Sequence, residues 1–243
     1  MKNKVSQFHR VAILNRGEPA VRFLRALKEY NLSRNTEIKG IAFYTEPDEG
    51  APFVRLADEA VYIGPALVPG ADGAMVSAYT HQDAMLKFLR DTQCDAVWPG
   101  WGFLSEDPTW VSRLESSGIC FIGPSSEAME RLGDKIASKR LAEAAEVPLA
   151  AWKTISTSDS EEALLKAGEE VGYPLMVKAS AGGGGRGIRK VNEPQQLMGA
   201  VTEVADEVRK SFGQGGIFIE SCVLEARHIE VQFVAPYQVE AVA

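Results

Sequence analysis

The chain has 243 residues, 45% hydrophobic and 24% charged, with a formal net charge of −7. That composition excludes a disordered, collagen-like or disulfide-dense chain. The acidic excess argues against a general nucleic-acid or anionic-membrane binder, because phosphate surfaces demand a basic face. No apolar run approaches the roughly 18 residues of a membrane-spanning helix.

In chain order, residues 11–14 read as a short buried strand, and Val21, Leu24 and Leu27 then recur at helical spacing. Further strands are predicted at 38–44 and 60–63. A helix over 82–91 gathers Met85, Leu86 and Leu89 on one face. A strand at 96–98, a helix near 108–117 and a strand at 119–122 follow. Strand–helix alternation of this kind implies right-handed βαβ units and a parallel sheet. Loops at the carboxyl ends of such strands carry ligands. Here they are Asn15-Arg16-Gly17, Pro99-Gly100-Trp101-Gly102 and Gly123-Pro124.

The rhythm changes after residue 125. Helices are predicted at 126–132 and 134–145, divided by Gly133. Ser158 and Glu161 have capping-box spacing ahead of a helix with Leu164, Gly168 and Val171 on one face. Strands are predicted at 175–178 and 188–191. A helix with Leu197, Val201, Val204, Val208 and Phe212 at spacings of 3 and 4 comes next. Strands at 217–220, 228–235 and 237–242 complete the pattern. Over 228–232, a period of two sets His228, Glu230 and Gln232 on one face.

Five glycines fall within 182–187, and residues 178–190 hold Lys178, Arg186, Arg189 and Lys190 with no acid. Glycine permits φ > 0 and lets backbone N–H groups close on an anion, so this basic, glycine-rich loop suits a polyphosphate. It is neither a Walker A loop nor a dinucleotide fingerprint, since a strand follows it rather than a helix. Lys178 ends an apolar strand, where an inward ammonium needs an anionic partner and an outward one does not. Lys135 opens a helix. Cys94, Cys120 and Cys222 lie far apart without a CxxC pair, which fits reduced thiols in a cytoplasmic setting. The three histidines are His9, His81 and His228, too scattered for a multi-histidine metal centre.

Six ordered motifs carry a family resemblance: Ile13-Leu14-Asn15-Arg16-Gly17-Glu18, Pro99-Gly100-Trp101-Gly102-Phe103-Leu104-Ser105-Glu106, Phe121-Ile122-Gly123-Pro124, Gly133-Asp134-Lys135, the stretch from Lys178 to Gly187, and Arg227-His228-Ile229-Glu230-Val231-Gln232. With these the whole chain resembles the amino-terminal part of biotin carboxylase, within the ATP-grasp superfamily. The resemblance implies an α/β fold: a parallel-sheet, Rossmann-like pre-ATP-grasp domain over 1–125, a helical connector over 126–150, a lid subdomain over 151–216 and the start of a second ATP-grasp lobe over 217–243. It implies that Lys135 and Lys178 contact nucleotide phosphates, that Gly184 and Gly185 cover them, that Glu220, Ser221, Cys222 and Val223 form the adenine-binding hinge, and that His228 contacts the nucleotide.

The family reaction consumes ATP, with Mg2+ or Mn2+, and bicarbonate to carboxylate biotin on a carrier domain. Its catalytic and metal-binding residues are expected beyond residue 243, so the chain is expected to be incomplete and inactive alone. Its implied partners are the biotin carboxyl carrier domain, the carboxy-terminal half of the enzyme and, in the full-length family, a second copy. Two departures stand out: Trp101 replaces the family's usual tyrosine, and Ser221 stands where a lysine is common. The alternatives are a non-catalytic nucleotide-binding or assembly module and a dinucleotide-dependent oxidoreductase. The latter lacks the GxGxxG that would open its first helix.

Overall fold

The computed structural model describes residues 8–70, 73–180, 187–212 and 216–232, and the chain divides into two compact units, Met1–Glu130 and Arg131–Ala243. The first unit follows the predicted alternation. Strand β1 (Arg10–Ile13) leads to helix α1 (Gly17–Arg34), β2 (Lys39–Tyr44), the short α2 (Pro52–Leu56) and β3 (Glu59–Tyr62). A small hairpin of β4 (Leu67–Pro69) and β5 (Met75–Ser77) intervenes before α3 (Gln82–Asp91), β6 (Ala96–Trp98), α4 (Pro108–Ser116) and β7 (Cys120–Phe121).

The main sheet is wholly parallel in the order β3-β2-β1-β6-β7. Strands buried on both faces need apolar residues at successive positions, which is why 11–14 and 41–43 read as continuous runs. Ala12, Leu14, Ile41, Phe43 and Val97 pack toward Met85, Leu89, Trp110 and Leu114 of α3 and α4. Ile13 and Ala42 face Ala20 and Leu24 of α1 and Phe53 of α2. The chain runs outward through β2 and β3, then returns to the other side of β1, so the strand order switches between β1 and β6. Asn15, buried just past β1, pins that switch point: its Nδ2 donates to the carbonyls of Pro99 and Trp101, each at 2.8 Å.

Helix α5 (Ser126–Gly133) crosses into the second unit, where α6 (Lys135–Ala144), β8 (Trp152–Ile155), α7 (Glu161–Val171), β9 (Leu175–Ala179), β10 (Ile188–Val191), α8 (Leu197–Phe212) and β11 (Ile217–Ser221) follow. The sheet is antiparallel in the order β10-β9-β11-β8. One face is apolar: Leu175, Val177, Ile217 and Ile219 pack with Leu164 and Val171 of α7 and with Leu197, Val201, Val204 and Val208 of α8. Gly187 closes the β9–β10 hairpin at φ +67, with its carbonyl accepting from the Ala179 amide at 2.9 Å.

Four points differ from the sequence reading, the first being the boundary at 217, which falls inside one sheet because β11 is hydrogen-bonded between β9 and β8. The cap of α7 is Ser160, whose hydroxyl accepts from the Ala163 amide, while Ser158 pairs with Ser156. No strand forms over residues 228–232, where Ile229 and Val231 are exposed; the rest of the predicted 228–235 strand, and 237–242, lie outside the described residues. The edge strand β8 is a fourth member of the second sheet that the apolar pattern does not announce, because Lys153 and Thr154 in its middle face solvent.

Candidate functional site

The second sheet has a charged face opposite its apolar one. Alternation along β9 buries Leu175, Val177 and Ala179 against α7 and α8, and turns Met176 and Lys178 the other way. The same alternation in β11 sends Phe218 and Glu220 to that opposite face. Phe218 lies directly across from Lys178, and Glu220 one step further along on the same side. Lys178 therefore points away from the core, and its partner is Glu220, with Nζ 2.5 Å from Oε2.

Helix α6 brings two more ammonium groups to this face. Asp134 caps the helix by accepting from the Ala137 amide. Lys135 and Lys139 then sit four residues apart, on one side of the helix. Lys139 bonds Glu220 Oε1 and is only 14% exposed. Its Nζ lies 5.5 Å from the centre of the Trp152 ring and 5.8 Å from that of Phe218, within cation–π range of both. Lys135 reaches the Ser180 carbonyl with its amide at 3.4 Å and its Nζ at 3.5 Å. Ser180, buried at the end of β9, is locked to Gly216 by its own amide and by its hydroxyl.

Burial alone would raise the carboxyl pKa of Glu220, but the bonds from Lys139 and Lys178 outweigh it and hold the group below its ordinary value. Glu220 is thus a half-buried, ionised acceptor flanked by two cations. Such a site favours a ligand that brings negative charge to the lysines and hydrogen-bond donors to the carboxylate.

The predicted residues divide as follows. Lys135, Lys178 and Glu220 gather on this face. Ser221 ends β11 and Cys222 follows it, but their amides already donate to the carbonyls of Ala151 and Pro174, so those two donors are not offered to a ligand. Val223 follows and is exposed. His228 is also exposed, with Nε2 3.6 Å from Glu230, and among the described residues no contact joins it to the lysines. Gly184 and Gly185 lie outside the described residues, as does Arg186. Arg189, counted with the basic loop, instead pairs with Glu203 and Glu207 of α8. Sequence reasoning missed Lys139, whose only signal was its spacing of four from Lys135.

No group of three His, Cys, Asp or Glu side chains comes together among the described residues, and Glu220 is already occupied by lysines. A cleft of about 500 Å³ between the end of α6 and β8 shares Trp152 with the charged face but includes none of Lys139, Lys178 and Glu220. Its lining has no cationic pair, so the charged face, rather than this cleft, is the candidate site.

Comparison with known proteins agrees with the two-unit division. Residues 7–129 match the family described as biotin carboxylase, N-terminal domain. The chain belongs to that family. Residues 134–243 match the ATP binding domain of the carbamoyl-phosphate synthase L chain, and this stretch contains the whole charged face.

Among curated proteins, the propionyl-CoA carboxylase alpha chain of Ruegeria pomeroyi is 39% identical over 93% of this chain and 31% of its own length. The biotin carboxylase of Halalkalibacterium halodurans is 37% identical over 95% of this chain and 48% of its own. A crystal structure of a biotin carboxylase–beta-gamma-ATP complex from Campylobacter jejuni is 34% identical with a TM-score of 0.76, covering 89% of this chain and 46% of that one. The biotin carboxylase domain dimer of Hydrogenobacter thermophilus 2-oxoglutarate carboxylase, in complex with MgADP, ADP and bicarbonate, gives 35% and 0.75, covering 89% of this chain and 45% of that one. The chain spans under half the length of each of these relatives.

Proposed function

We propose that the charged face of the second sheet binds the nucleotide of a biotin carboxylase reaction, in which ATP and bicarbonate carboxylate biotin on a carrier domain. The observation that carries this reading is the Lys139–Glu220–Lys178 arrangement, which lies wholly within the stretch matching an ATP-binding domain. Lys178 and Lys135 supply positive charge for the phosphates, and the backbone of the 220–223 segment meets the adenine. The ADP and beta-gamma-ATP complexes of the relatives support the same ligand class. Mg2+ enters with the phosphates, as the MgADP complex of the Hydrogenobacter relative suggests. Val223 and His228 complete the nucleotide contacts in this proposal.

The finer organisation follows the same reading, with a Rossmann-like domain over 1–125, a helical connector over 126–150 and a lid subdomain from 151; because β11 is hydrogen-bonded between β9 and β8, the lid sheet includes 217–221 and the second lobe starts after it rather than at 217. The partners are the carrier domain, the carboxy-terminal portion of a biotin carboxylase and a second copy of the enzyme. A cytoplasmic setting accords with free thiols at Cys94, Cys120 and Cys222. Among the described residues no helix is long and apolar enough to cross a membrane.

The test is release of phosphate from ATP that depends on both biotin and bicarbonate, with the carboxy-terminal portion of a relative supplied in trans. Turnover that disappears in Lys178→Ala supports the reading. ADP binding without turnover in the same mixture supports the alternative, a nucleotide-binding or assembly module without the chemistry.

A further inference from the structure

We infer that Lys139 is the resident counter-ion of Glu220, the group that keeps this carboxylate in place when phosphate draws Lys178 away. The inference rests on the nucleotide reading above and concerns a residue that reading did not use. Glu220 has two oxygens and two cationic partners, one on each: Lys139 on Oε1 and Lys178 on Oε2. The two lysines are not equivalent. Lys178 rises from strand β9 and is 27% exposed, about twice as open as Lys139 at 14%. Lys139 is held by more than its ion pair, since its ammonium lies over the Trp152 and Phe218 rings. Trp152 is fixed in turn by its Nε1, which donates to Glu143 Oε1 at 2.7 Å.

A phosphate near the sheet competes with Glu220 for Lys178. If Lys178 were the only partner, its departure would strand a half-buried carboxylate, and leaving one member of a buried charge pair uncompensated is strongly unfavourable. Glu220 would then either keep Lys178 or take up a proton, and in both cases the site loses a function. With Lys139 held over the Trp152 and Phe218 rings, Glu220 retains one cation throughout. Lys178 can then exchange carboxylate for phosphate without a net loss of pairing. Lys139 touches neither phosphate nor base in this scheme; it is a positioning residue acting through Glu220.

This role makes a prediction that a purely structural one does not. Removing Lys139 should weaken ligands in proportion to their demand on Lys178, so the loss falls on the phosphates and not on the nucleoside. The experiment measures binding of ADP and of adenosine to the chain, by calorimetry or ligand-observed NMR, for wild type, Lys139→Met and Lys139→Arg. Lys153→Met, on the exposed edge strand and paired with Glu170, is the control.

For Lys139→Met, ADP binding should fall on the order of 10- to 100-fold, the value of a hydrogen bond to a charged group, while adenosine binding changes little. Lys139→Arg, which keeps the charge, should restore the ADP-to-adenosine ratio even if Lys139→Met folds poorly. An equal loss for both ligands, or a wild-type ratio in Lys139→Met, would overturn the role of Lys139 and leave the nucleotide site standing. Absence of ADP binding by the wild-type chain would instead overturn the nucleotide reading, and this role with it.

Discussion

Lys178 and Glu220 meet across adjacent antiparallel strands, Nζ to Oε2 at 2.5 Å, on the face of the sheet turned away from its apolar core. Forty-two residues separate them in sequence, and the β9–β11 register brings them together. The contact explains how a lysine can end an apolar strand: alternation turns it outward and a carboxylate receives it.

The first prediction follows from the contrast with Arg189. Lys178→Ala should weaken ADP binding by about 2 kcal/mol or more, the usual effect of truncating one partner of a desolvated charge pair. Arg189→Ala should change it by less than about 1 kcal/mol, because Arg189, itself 40% exposed, is committed to Glu203 and Glu207 on α8. Titrating ADP against both variants checks the ranking, and equal losses would contradict it.

Capping separates two neighbouring serines. Ser160→Ala removes the acceptor for the Ala163 amide and should cost about 1 kcal/mol of stability. Ser158→Ala removes only an exposed hydroxyl pair and should stay within about 0.5 kcal/mol. Urea unfolding of the two variants gives the comparison, and the reverse order would restore Ser158 as the cap.

Asn15 ties two loops at the switch point of the first sheet. Asn15→Ala would leave the carbonyls of Pro99 and Trp101 without their shared donor, a loss of about 1–3 kcal/mol that falls mainly on the buried bond to Pro99. Gly100 is pressed against the same side chain: at φ +63, a Cβ there would come within 2.6 Å of Asn15 Nδ2. Gly100→Ala should therefore also destabilise the first unit. Denaturation followed by the fluorescence of Trp98 and Trp101 reads both variants.

Acid pH should expose a paired carboxylate in the first unit. The hydrogen bonds from the Arg10 guanidinium hold the Glu59 carboxyl at about 2, below its ordinary 4.5, while burial opposes the shift and Lys39 adds to it. A folded-state value below the unfolded one means stability present above the unfolded value and lost as pH falls toward the folded one. The contribution should therefore fade between pH 4.5 and 2. Because Glu59 is 41% exposed, solvent and salt screening keep it under about 1 kcal/mol. Glu59→Gln should flatten this part of the stability–pH curve, most visibly at low salt, and an unchanged acid limb would argue that the pair contributes nothing.

Much of the fold was legible because its signals are local. The parallel strands are continuous apolar runs, and α1, α3 and α8 repeat apolar residues at helical spacing, so their buried faces could be named in advance. The elements that escaped notice lack such signals. Helix α2 has five residues and β4 and β5 three each, too short for a period to show. Strand β8 is an edge strand in which Ile155 is the one fully buried side chain. The alternation from His228 to Gln232 misled in the opposite direction: period two is compatible with a strand but does not supply a partner, and Ile229 is 81% exposed. At the site, Lys178 could be read within a family motif and Glu220 as part of the hinge that the family resemblance implies. Lys139 could not, because its meaning depends on a carboxylate 81 residues away and on two rings from different strands.

The most direct test of the account is a backbone amide NMR titration of the chain with ADP. The account predicts shift changes concentrated at Lys135 and Lys139 on α6, at Lys178 and Ser180 along β9, and from Glu220 to Val223, with the cleft around Val147 and Leu149 unaffected. Changes confined to the first unit, or to that cleft, would contradict the placement of the nucleotide on the charged face.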